Sequence, residues 1–325
     1  MVSCVKKFFI GALACAAAIG VSAQQMPEEL KGKTVAVVVP WGAGGNVDTV
    51  TRMLVQSIER QQPDLKMVVT NKPGAGGSIG GRYVADSEPN GLTIGQFTPS
   101  DMSLNNIRGV PSSVGYRDIA CFHYTIKWGS AIITNGDAPF NTLKQMIEFL
   151  KKDSKPSYAT IGLITTLLAE QVLDEANVKN VVGANYKSVP EAVRAVLSKE
   201  VTFSIVPVAE AANLVKEGKL KAIVVGTVDR NNLLPDVPSV TETFKNVIME
   251  NALGFCVPRA TPQKYLDYYN VVFDKAAKST EFVDFISKRN HVLVGGGVSV
   301  ANDWYENSWK EWRQRNNKYS HLIKN

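Results

Sequence analysis

Apolar residues along the chain fall into two alternating rhythms. Val35 to Val39 is an unbroken, β-branched run, the pattern of a strand buried on both faces of a parallel sheet. Beyond "PWGAGGN", the positions Val50, Met53, Leu54, Ser57 and Ile58 recur at helical spacing with mostly apolar choices, which predicts an amphipathic helix. The same order returns from Met67 to Thr70, where a strand run gives way to "NKPGAGG" and then to Ile79, Tyr83 and Val84 on one predicted helical face. "GLTIGQFTPS" supplies a third strand and another polar loop. Further on, Leu143, Met146, Ile147 and Leu150 mark a helix, as do Val189, Val193, Val196 and Leu197. Val201, Phe203 and Ile205 alternate as a strand, and Ala222 to Val225 reads as another buried one. Strands alternating with helices predict an α/β sheet.

The last third reads as mostly helical. Tyr265, Tyr269, Val272, Phe273 and Ala276 form one stripe, Phe282, Phe285 and Ile286 a second, and Trp304, Tyr305, Ser308 and Trp312 a third. Aromatic stripes at this spacing are read as core packing. "LLPDVPSVTE", with Pro235 and Pro238, is the clearest non-helical segment and the expected place for the chain to change domains.

The amino terminus departs from both rhythms. Lys6 and Lys7 precede an apolar run from Phe8 to Val21, closed by Val21-Ser22-Ala23. That is the pattern of an export signal cleaved after about Ala23, because the run falls short of the ~20 residues that span a bilayer. Cleavage would lower the formal net charge from +6 to +4 by removing the two lysines. Without an arginine-rich block, this mild excess reads as solvated surface, and no nucleic-acid partner is expected. About 300 remaining residues favour two domains over one core. Cys121 and Cys256 would be the only cysteines left, with no metal-ligand spacing. Export permits a disulfide between them, but both lie in apolar strand-like stretches, which favours two buried free thiols.

The glycine loops narrow the chemistry. In an open α/β sheet, ligands bind beyond the carboxyl ends of the strands, where helix N-termini point N–H groups and a positive dipole outward. Gly42 to Asn46 and Gly74 to Gly77 are two such loops, fit to cradle anions. A dinucleotide fingerprint would need glycine where Val47 and Ile79 stand, and no nucleotide phosphate loop is present. His123, His291 and His321 accompany no nucleophile motif, so no catalytic residue, metal or cofactor is expected. Asp48, at the start of the first helix, reads first as a partner for the helix N-terminus and second as a ligand contact.

Four motifs in order, "VVPWGAGGNVD", "NKPGAGGSIG", "PNGLTIG" and "LPDVPSVTE", resemble the substrate-binding receptors of tripartite tricarboxylate transporters, the Bug receptors. The similarity continues through "NYKSVPEAVRAVLSKEVTFSIVP" and "LVKEGKLKAIVVGTVDR". The resemblance implies an α/β, two-lobed periplasmic binding protein of the type II kind, each lobe a sheet flanked by helices, with the ligand cleft between. Residues 24–125 plus 229–325 would form the first lobe and 126–228 the second, after a signal peptide at 1–23. Such a protein is no enzyme: a monomer in the periplasm, it closes on a small carboxylate and delivers it to integral-membrane transporter subunits. Presentation to a signalling partner and an exported hydrolase are the alternatives.

Carried over by position, the resemblance implies a site of Trp41, Gly44, Gly45 and Asn46 with Asp48 beside them, Ala75, Gly76 and Gly77, and Thr98 and Ser100. The other lobe would add Thr160, Gly162, Thr165, Thr166, Tyr186 and Ser188. Three departures stand out: Trp41 replaces the family's usual Phe, "YATIGLITTLLAE" lacks the family's Ser and His pattern, and Val206 and Pro207 stand where many relatives carry an acid. The last favours a ligand without an amine.

Overall fold

The structure, a computed structural model, describes residues 25–320 apart from 162, 187, 246 and 248. The expected signal peptide and His321 lie outside the described residues. In chain order the elements are β1 (Thr34–Val39), α1 (Asn46–Gln61), β2 (Lys66–Asn71), α2 (Ser78–Ala85), β3 (Thr93–Phe97), α3 (Pro99–Ile107), β4 (Ile119–Asn135), α4 (Leu143–Lys152), β5 (Ser157–Thr160) and α5 (Leu163–Glu175). They continue with β6 (Val182–Asn185), α6 (Val189–Leu197), β7 (Phe203–Pro207), α7 (Val208–Lys216), β8 (Leu220–Val225), β9 (Glu250–Pro258), α8 (Gln263–Ala277), α9 (Thr280–Ser287), β10 (Val292–Leu293) and α10 (Val298–Lys318).

The strands follow the order β2-β1-β3-β9-β4-β7-β5-β6, with β8 and β10 also paired to β4. Two parallel triplets result: β1 lies between β2 and β3, and β5 between β6 and β7. Each triplet feeds its helices from the same edge, so each half repeats one strand-loop-helix plan. The 17-residue β4 belongs to both halves: through Gly129 it pairs with β9, and from Ser130 with β7.

The passage between halves is a close three-chain junction. Ser130 N–H donates to Met249 O, Gly226 N–H to Ser130 O, and Met249 N–H to Gly226 O. A Cβ on Gly226 would stand 2.2 Å from that of Met249, so only glycine lets these backbones meet. The "LLPDVPSVTE" segment does not carry the return passage. Leu234 and Val240 sit in the cores of the second half, as do Val247 and Met249, and the chain comes back to β9 only at Glu250. Helix α10 crosses as well: Ala301, Tyr305 and Trp309 pack in the first half, while Trp312 enters a core of the second.

Most expected stripes are core. Tyr265, Tyr269, Val272, Phe273 and Ala276 of α8 are all buried against the first sheet. Helix α2 keeps only part of its expected face: Val84 is buried, together with Gly80 and Gly81, while Ile79 and Tyr83 are about half exposed. A Cβ on Gly80 would stand 2.7 Å from Lys72 O and 2.9 Å from Pro40 Cα. The helix is pressed onto the first two loops by its glycines, which turns the larger side chains outward.

Cys121 and Cys256 are bonded. Cys121 of β4 faces Cys256 of β9 across the ladder, with Cα atoms 3.8 Å apart, and the two sulfurs form a disulfide. The expectation of free thiols fails because the register of two strands remote in sequence sets the two residues opposite each other.

Candidate functional site

Three helices of the first half begin at the carboxyl ends of three neighbouring parallel strands. The N-caps of α1, α2 and α3 are Gly45, Gly77 and Thr98, and in none does a side chain cap the helix. Their leading N–H groups and dipoles are therefore offered to whatever lies between the loops.

Buried polar groups hold the first loop from behind. Asp48, 2% exposed, accepts from Gly44 N–H at 2.8 Å, Arg52 Nε at 3.0 Å and Asn71 Nδ2 at 2.8 Å. Burial alone would raise its pKa; the bonds from Arg52, Gly44 and Asn71 outweigh it and hold the carboxyl below its ordinary value. Asn71 also donates to Trp41 O. Asp48 thus uses its acceptors to brace the loop through Gly44, Arg52 and Asn71 and does not cap the N-terminus of α1, the role first expected of it.

The second loop is left-handed over four consecutive residues: Gly74, Ala75, Gly76 and Gly77 have φ of 128°, 46°, 60° and 89°. Such a turn suits glycine and strains Ala75. Asn105 of α3 fastens it, donating from Nδ2 to Gly76 O at 2.6 Å. Trp41 joins the two loops, its Cζ2 lying 3.3 Å from where a Gly77 Cβ would be. Trp41 Nε1 is buried and has no hydrogen-bond partner among the described residues. Thr98 and Ser100 are buried at the start of α3. The structure therefore gathers Trp41, Gly44, Gly45, Asn46, Ala75, Gly76, Gly77 and Thr98 at one edge of the first sheet. Ser100 lines a separate cavity of about 170 Å³ with Tyr124, Lys127, Glu250 and Trp304, near the junction of the halves.

In the second half, Thr160 ends β5 and is buried, with Oγ1 3.4 Å from Ala184 O. Thr165 Oγ1 accepts from Ile161 N–H at 2.7 Å, bracing the loop into α5, and Thr166 lies beside it on that helix. Ser188 caps α6 by accepting from Glu191 N–H. The Tyr186 hydroxyl is bound to Glu200, beyond the far end of α6, at 2.7 Å. Gly162 lies outside the described residues.

Asp101, Asn105 and Asn71 were not legible as site residues. Asp101 stands in the first turn of α3, half-buried, and accepts from the Thr98 hydroxyl at 2.7 Å. Burial raises its pKa from 3.8 to about 6, against the opposing Thr98 bond. A raised carboxyl favours the folded state while protonated, so its contribution is complete below about pH 4 and is lost as the pH rises through about 6. Asp101→Asn should therefore unfold at nearly the wild-type temperature at pH 4 and at a higher one at pH 7. A difference in melting temperature that does not change with pH would refute this.

The histidines have structural surroundings. His123 is buried with Nδ1 2.8 Å from Thr125 Oγ1, and His291 is buried beside Trp128. Burial lowers both to about pH 4, keeping them neutral. Among the described residues no cluster of His, Cys, Asp or Glu is arranged to hold a metal ion, and no helix is long and apolar enough to cross a membrane.

The family model described as tripartite tricarboxylate transporter family receptor matches residues 50–303. The chain belongs to this family. It is a family of binding proteins, not of enzymes, and the receptor shares the mixed α/β fold of periplasmic binding proteins. The chain is 23% identical to protein BugT of Bordetella pertussis, over 82% of its length and 83% of BugT's. It superposes on the structure of periplasmic binding protein BugD with a TM-score of 0.75 at 24% identity, covering 90% of this chain and 98% of that one. MatC of Rhodopseudomonas palustris, solved with bound malate, gives a TM-score of 0.73 at 19% identity, over 87% and 98% of the two chains.

Proposed function

We propose that this receptor captures a small amine-free carboxylate between its two halves and hands it to membrane transporter subunits. The observation that carries the reading is the meeting of three helix N-termini without side-chain caps at one sheet edge. Backbone N–H groups and a spare indole N–H are suited to a carboxylate without a fixed cation. Loops of the second half, at Thr160, Thr165, Thr166 and Ser188, would close over the ligand, with Gly129, Gly226 and Met249 serving as hinge. Val206 is buried and Pro207 leads into α7 at the end of β7, so that strand end offers an ammonium group no carboxylate. MatC's malate points to the same chemical class. The mature protein would begin after about Ala23 and act as a periplasmic monomer.

A thermal-shift screen of the mature protein tests this against mono-, di- and tricarboxylates, with amino acids included. A ligand at 100 times its dissociation constant should add about 2.7 kcal/mol. Stabilisation by amine-free acids alone is expected. Stabilisation by amino acids alone would overturn the amine-free assignment, and turnover of the acid would overturn the receptor reading.

A further inference from the structure

A second concavity lies on the first half and includes none of the loop residues above. It has a volume of about 700 Å³, and Arg117, Arg259, Thr261, Gln263 and Tyr305 are among its lining residues. That size suits a small molecule. We infer that it is a second anion site, which takes a carboxylate or phosphate headgroup between Arg117 and Arg259.

Neither arginine has a carboxylate partner among the described residues. Arg117 Nε donates to Tyr116 Oη at 3.1 Å, and an Arg259 nitrogen stands 3.5 Å from Ile119 O. Nearby acids are otherwise engaged. Asp118 faces Gly115 N–H and Arg82, and Glu306, itself a lining residue, pairs with Lys310. Two guanidinium groups at one pocket are thus left available for an oxyanion, which they bind through paired hydrogen bonds.

Two further features point the same way. Helix α8, 15 residues long, begins at Gln263 on the pocket wall, and its N-cap Pro262 supplies no side-chain bond. Its positive end therefore adds to the field of the arginines. Two buried hydroxyls among the lining residues, Thr261 Oγ1 and Tyr305 Oη, have no hydrogen-bond partner among the described residues. Buried polar groups ordinarily have one, which leaves both hydroxyls unsatisfied at the wall of the concavity. The apolar wall of Ile119, Ala120 and Leu266 suits a short carbon skeleton.

The experiment compares citrate and inorganic phosphate by calorimetry. It uses Gly76→Val, in which the interlobe cleft is impaired, and the same protein carrying Arg117→Gln and Arg259→Gln. Both arginines are exposed, so their replacement should leave the fold intact. Gly76→Val should still bind one equivalent of citrate or phosphate, and the arginine changes should weaken that binding at least about tenfold. Citrate binding alone identifies a carboxylate site, and binding of both identifies a general oxyanion site. Absence of binding by Gly76→Val, or equal affinity after the arginine changes, overturns the inference.

Discussion

Gly76→Val is expected to weaken carboxylate binding in the cleft by about 100-fold, equivalent to about 2.7 kcal/mol, while the protein stays folded. Gly76 has φ 60° and ψ 35°, a region that a β-branched residue enters only at a cost of about 1–3 kcal/mol. Its new Cβ would stand 2.8 Å from Asn105 Oδ1 and 3.1 Å from Nδ2. Asn105 is buried on α3 and already holds Gly76 O, so it has little room to yield. The loop must move instead, and with it the N-terminus of α2. Gly76 itself is exposed, which confines the damage to the site. Calorimetry with the acid found by thermal shift, beside a far-ultraviolet spectrum, separates the outcomes. Unchanged affinity would remove the second loop from the site.

The paired replacement Cys121→Ser and Cys256→Ser should destabilise the protein by about 2–5 kcal/mol. The bond joins residues 135 positions apart, and a long loop loses more unfolded-state entropy when it is closed than a short one. For a protein of this size the melting temperature should fall by roughly 3–8 °C. Reductant should bring wild type down toward the variant and leave the variant unchanged. A wild type indifferent to reductant under unfolding conditions would show that the bond contributes nothing.

Strand β1, helix α1 and the glycine loops could be read directly because a buried parallel strand, a helical stripe and a Gly-rich turn each have a local signature. Helix α2 could not. Counting apolar positions assigns Ile79 and Tyr83 to the core, whereas close approach to Pro40 and Lys72 gives that place to Gly80. Asp101 resembles an ordinary acid in a first helical turn. Its spacing from Thr98, as Thr-x-x-Asp, was the available signal, but its burial depends on how α3 packs. The disulfide was hidden for a related reason: apolar surroundings suit a thiol and a bridge equally, and only strand register separates them.

The position of β9 also governs when the protein can fold. It lies between β3 and β4, so the first sheet stays split until residues 250–258 have been made, after nearly the whole second half. Much of the native pairing is therefore remote in sequence, a topology associated with slow folding. A chain emerging from the ribosome would spend most of its synthesis without a finished first sheet. For a protein of a periplasmic family that delay is useful, because an extended chain is easier to thread across a membrane than a folded one.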